Sequence, residues 1–132
     1  MWALDRRLAA DSHLVEDWAL SRVLLMDDSR FPWLILVPRR ENVSELHELA
    51  AEDRTALIEE VARASRALAA LFKADKMNVA ALGNVVRQLH VHVVARQKGD
   101  AAQPGLVWAS KPAIPYDAAS RERMIARLKA AL

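Results

Sequence analysis

The residues Gln88-Leu89-His90-Val91-His92-Val93-Val94 alternate apolar side chains with side chains that can hold or attack a phosphate. In an extended strand successive side chains point to opposite faces. Gln88, His90 and His92 are therefore expected on one face, and Leu89, Val91 and Val93 on the other, toward a core. Neutral imidazole is a nucleophile toward phosphorus, and a reference pKa of about 6.5 leaves most of the ring unprotonated near neutral pH. Phosphoryl or nucleotidyl transfer through a covalent phosphoramidate is one chemistry this pattern supports. A metal site is a second, since His-x-His on a strand suits zinc, but it needs a third protein ligand and Gln88 is a poor one. A His pair on a solvated sheet face is the third and plainest reading.

Positioning these side chains requires a sheet and something to cover it. Ser21 to Met26 and Trp33 to Val37 read as two antiparallel strands joined through Asp27-Asp28-Ser29-Arg30 and Pro32, with Pro38 ending the second. A short helix around Arg6 to Ala10 is expected before the sheet begins. Ser44 is expected to cap a short turn containing Leu46 and Leu49, and His47 there reads as a surface or capping histidine. Leu57, Val61, Ala64, Leu68 and Leu71 fall at intervals of four and three, the stripe of an amphipathic helix from about Glu52 to Phe72 that covers one sheet face. Met77 to Leu82 and Leu89 to Ala95 read as two further strands joined by a turn at Gly83-Asn84. After a Pro-rich irregular stretch, Asp117 caps a final helix that turns Met124, Ile125 and Leu128 inward. The expected fold class is α+β.

At 132 residues the chain fits a single domain, 1–132, with one core. Hydrophobic residues make up 53% and charged residues 27%, the balance of a globular protein and not of a disordered tail. The 19 basic and 17 acidic residues leave a formal charge of +2, which gives no ground for wholesale nucleic-acid binding. Arg39, Arg40, Arg87 and Arg96 can still supply local positive charge to a small anion. The absence of Cys excludes disulfides, thiol catalysis and cysteine-ligated zinc, and fits a reducing compartment. Asp5, Arg6, Arg7 and Asp11 interrupt every apolar core near Met1, so no secretory signal is expected. The longest apolar run, near Trp33 to Val37, is too short to cross a bilayer. A cytoplasmic protein without membrane contact is expected.

The segment from Gln88 to Val94 resembles the histidine triad family of nucleotide hydrolases and transferases, whose signature is His-x-His-x-His followed by two apolar residues. Leu34-Ile35-Leu36-Val37-Pro38-Arg39-Arg40 is similar to the family's apolar strand ending in Pro and basic residues. Met77 to Asn84 is similar to the strand and loop leading into the triad. These blocks run in the expected order from about Arg22 to Arg96. Two positions depart from the pattern: Gln88 replaces the first triad His, and Trp33 stands where many members carry a further His. The family places those two positions together behind the nucleophile, so the resemblance implies one coordinated change.

The resemblance implies an antiparallel sheet covered by the long helix, with a C-terminal helix, in a protein that usually pairs as a homodimer. It implies a nucleotide or dinucleotide substrate attacked at its α-phosphate by His90. His92 and Asn84 would orient or neutralise the phosphate, Gln88 would hold the local geometry, and Asp27 would meet a ribose hydroxyl. No cofactor and no metal are expected. Two rivals remain from the residues themselves: a nucleotide-binding module without turnover, and a metal-dependent hydrolase using the His-x-His pair.

Overall fold

Five strands make one antiparallel sheet because each carries an apolar face, or two, that must be buried. Over residues 1–132, all described by the computed structural model, these are β1 (Ser12–Asp17), β2 (Ser21–Met26), β3 (Trp33–Pro38), β4 (Lys76–Ala80) and β5 (Val91–Arg96). Their order across the sheet is β1-β2-β3-β5-β4. The fold is α+β, as the sequence pattern predicts. Central β3 reads as an unbroken apolar run because it is buried on both faces.

One face packs on the long helix α2 (Ala51–Phe72), whose stripe of Leu57, Val61, Ala64 and Leu68 meets Val23, Leu25, Leu34, Leu36, Val91, Val93 and Ala95. The terminal helix α3 (Ala118–Ala131) adds Leu128 to this core and is capped by Asp117, which accepts a 2.7 Å hydrogen bond from Ser120 N. The opposite face is covered by helix α1 (Arg6–Asp11) and the segment after β5. Leu8, Leu24, Phe31, Trp33, Ile35, Val37, Val94 and Val107 are buried there. Residues of β3 and β5 thus alternate between the two cores, and the even-numbered positions His92 and Val94 belong to the second.

Four expectations are corrected. Ser12–Asp17 forms an edge strand where no strand is expected, because the pairing of β1 with β2 shifts between Leu14 and Glu16. The bulge replaces the two-residue repeat with burial of Ser12 and Val15 three apart, so alternation is lost from the sequence. The fifth strand begins at Val91, not Leu89, and Gln88 lies in the connection from Ala81 to His90. That connection is longer than the turn expected at Gly83-Asn84, although Gly83 does supply the positive φ of 76° at its bend. The turn near Leu46 is held by Glu48, not Ser44: Glu48 Oε1 accepts the backbone N–H groups of Ser44 and Glu45 at 3.1 and 2.8 Å.

Candidate active site

The register of β3 with β5 brings His90 and His92 into an aromatic nest. Ile35 lies opposite His92 and Trp33 opposite Val94, which makes Trp33 the diagonal neighbour of His92 on the same face. A diagonal separation is within reach of an indole. Trp33 Nε1 lies 3.0 Å from His92 Nδ1, with both residues buried. Trp108, on the segment after β5, stands with its ring centroid 5.2 Å from that of His92. The His90 and His92 rings are 4.9 Å apart and nearly perpendicular.

His90 sits one residue before β5, where the chain has not yet entered the ladder, and its Nδ1 lies 2.7 Å from the Gln88 carbonyl oxygen. A carbonyl only accepts, so Nδ1 carries the ring proton and Nε2 of the neutral ring keeps a lone pair. That is the form in which imidazole attacks an electrophile. His92 is held in its neutral form over a wide range: burial first, and His90 beside it second, push its pKa down to about 3.

The Gln88 side chain faces elsewhere than expected. It accepts from Asp5 N at 2.8 Å and donates to the Ala3 carbonyl at 2.9 Å, so its amide fastens the N-terminal segment while its backbone carbonyl touches His90. Gln88 and Trp33 therefore have different hydrogen-bond partners, and no hydrogen bond joins them into the unit that the resemblance implies. Replacing Gln88 by Ala is expected to cost about 1 kcal/mol of stability through the lost tether. It should change any turnover only a few-fold, because the carbonyl that orients His90 remains. A denaturant titration beside a rate measurement checks both halves, and a loss of turnover without loss of stability would contradict this assignment.

Asn84 and Asp27 are not brought to the histidine pair by any hydrogen bond. Asn84 is exposed in the connection before β5. Asp27 accepts from Tyr116 N at 3.0 Å and lies 3.1 Å from His13 Nε2, which ties the end of β2 to the C-terminal segment. Arg96 is not free for an anion either. It is buried and held bidentately by Asp100 at 2.7 and 2.9 Å, with further bonds to Asn78 and the Gly105 carbonyl. The hydrogen bond from Arg96 holds the Asp100 carboxyl well below the usual carboxylate range. Arg39 is spent on the Trp18 and Leu20 carbonyls and Arg40 on Asp53, which leaves Arg87, whose charge acts on Glu48 without pairing with it, as the one of the four arginines that makes no hydrogen bond or ion pair.

Arg87 lines a cavity of about 260 Å³ that also reaches His90, Ser44 and His47. The sequence pattern reads His47 as a surface or capping histidine. Its nearness to His90 comes from two connections, after β3 and before β5, that no local pattern relates. No group of three or more His, Asp or Glu side chains is arranged to hold a metal ion, so the His-x-His pair lacks a third ligand. No helix is long and apolar enough to cross a membrane.

Comparison with known proteins agrees with this geometry. The HIT domain model matches residues 7–99. A histidine triad protein from Marinobacter aquaeolei is 45% identical over 100% of this chain and 96% of its own, with a TM-score of 0.98. Histidine triad proteins from Bradyrhizobium japonicum and Sinorhizobium meliloti are 43% and 40% identical, with TM-scores of 0.95 and 0.97. The first of these alignments covers 98% of this chain and 97% of the other, and the second 100% and 98%. No curated protein matches the chain. A family model spanning most of the chain, and relatives this similar over nearly their full length, make the chain a member of the histidine triad family.

Proposed function

We propose that this protein hydrolyses or transfers nucleotides by covalent catalysis at His90, as a triad variant with Gln88 at the first position. The substrate is a nucleoside phosphate ester, anhydride or phosphoramidate. His90 Nε2 attacks the α-phosphorus, a P–N bond forms, and the P–O or P–N bond to the leaving group breaks. Water or another acceptor then attacks the same phosphorus, the bond to His90 breaks, and the nucleotide leaves. The observation that carries this reading is the 2.7 Å contact between His90 Nδ1 and the Gln88 carbonyl, which leaves Nε2 as the nucleophile. The cavity that His90 lines also carries the Arg87 cation.

Purified protein screened against diadenosine polyphosphates, adenosine phosphoramidate and nucleotide sugars is expected to release a nucleoside monophosphate from at least one class. Binding without release would favour the nucleotide-binding module instead. Turnover lost to a chelator and restored by zinc would favour the metal-dependent rival.

A homodimer belongs to the same proposal. Strand β4 is an open sheet edge, and Val79, Leu82 and Leu106 beside it are each about half exposed. Such an edge invites pairing. Light scattering after size exclusion should report twice the chain mass of 14.7 kDa. A monomer at high protein concentration would remove this part of the proposal.

A further inference from the structure

We infer that Trp33 is a positioning residue that fixes which nitrogen of His92 carries the proton, so that His92 meets the reacting phosphate as a neutral hydrogen-bond donor. The inference deepens the reading of His90 as nucleophile and rests on it. An indole N–H donates and cannot accept, so the 3.0 Å contact makes His92 Nδ1 the acceptor and places the ring proton on Nε2. In the other tautomer two N–H groups would face each other inside a buried contact. The two histidines are therefore held in opposite forms. His90 has its proton on Nδ1 and a lone pair on Nε2, while His92 has its proton on Nε2.

Opposite forms suit opposite tasks. Attack at phosphorus concentrates negative charge on the non-bridging oxygens, and an N–H aimed at them stabilises that charge. A lone pair aimed at them would repel it. The His92 ring lies 4.9 Å from that of the nucleophile, so a phosphate bound to His90 falls within its reach. Burial supports the same role by keeping the ring neutral, with its donor set by Trp33 and not by solution pH.

The indole is itself immobilised. Trp33 is 4% exposed, with Phe31 and Trp108 packed against it edge to face at centroid distances of 6.4 and 5.9 Å. The sequence position where many family members place a histidine thus carries a donor that cannot titrate.

The test uses the full-length protein labelled with ¹⁵N and a long-range proton–nitrogen correlation spectrum at neutral pH, which distinguishes the two imidazole tautomers. The unsubstituted protein should show the Nε2–H form at His92 and the Nδ1–H form at His90. Trp33→Phe removes the donor while keeping an aromatic ring in the nest. It should lose the single Nε2–H signature at His92 and lower kcat about tenfold or more, with KM changed far less. Trp108→Phe packs on the same imidazole without a hydrogen bond to it and should leave the tautomer in place.

An Nδ1–H tautomer at His92 in the unsubstituted protein overturns the inference even if Trp33→Phe fails to fold. An unchanged tautomer or an unchanged kcat in a folded Trp33→Phe protein overturns it as well. Absence of turnover in the unsubstituted protein would instead remove the nucleotide reading, and the spectrum would still decide whether Trp33 sets the tautomer.

Discussion

Replacing His90 by Ala is expected to abolish turnover, by at least a thousandfold, while the protein stays folded and still binds nucleotide. In the proposed mechanism the substitution removes the attacking atom and hence the covalent route itself. Its structural cost is modest by comparison. His90 is buried but precedes β5 outside the ladder, and its side chain's hydrogen-bonding partner is the nearby Gln88 carbonyl of the same connection, so no long-range hydrogen bond is lost with it. Rapid quenching in alkaline denaturant, in which a P–N bond to imidazole survives, of the unsubstituted protein mixed with a substrate labelled in its α-phosphate should trap label on His90, and none in the Ala variant. His92→Ala provides the contrast. It keeps the proposed nucleophile and so should still accumulate labelled protein, more slowly, because the donor proposed for the transferred phosphate is lost. Normal turnover in His90→Ala would refute covalent catalysis at this residue.

Those expectations depend on features that differ in how visible they are in the sequence. The stripe from Leu57 to Leu68 and the alternation from Val91 to Val94 are legible because burial on one side of a regular element repeats with the period of that element. Gln88 shows where the same reasoning fails. Its alternation with His90 and His92 holds in sequence, but the strand starts only at Val91, so a strand rule does not fix the direction of its side chain. Arg96 is legible as a cation near the motif and not as a neutralised one, because Asp100 and the Gly105 carbonyl lie on a loop that returns to it. The contact of Trp33 with His92 needs the β3–β5 register, a pairing between strands almost sixty residues apart in sequence. Local patterns carry no information about that register. They specify that both strands are buried, and packing decides which residues meet.

The protonation of His92 leads to a second large effect, this time on stability in mild acid. Its pKa is held at about 3 in the folded protein against 6.5 for an unburied histidine. Between those values the unfolded chain binds a proton that the folded chain does not, so folding stability rises with pH there and is lost as pH falls. Above the unfolded value the contribution is constant, and at full effect one proton corresponds to about 1.4 kcal/mol per pH unit. The carboxylates of Asp28 and Asp100, whose folded pKa values are depressed, act in a separate window. Their contribution is present above 3.8 and lost only as pH falls through the folded values. Denaturant midpoints measured from pH 7 down to pH 4.5 should therefore report His92 and not the buried ion pairs. His92→Gln keeps a polar group beside the Trp33 N–H and cannot take up a proton, so it should flatten this arm of the profile while leaving the steeper loss below pH 4 in place. Parallel slopes for the two proteins between pH 6.5 and 4.5 would show that His92 is not kept neutral by burial, and that its charge remains available to change with pH at the reacting phosphate.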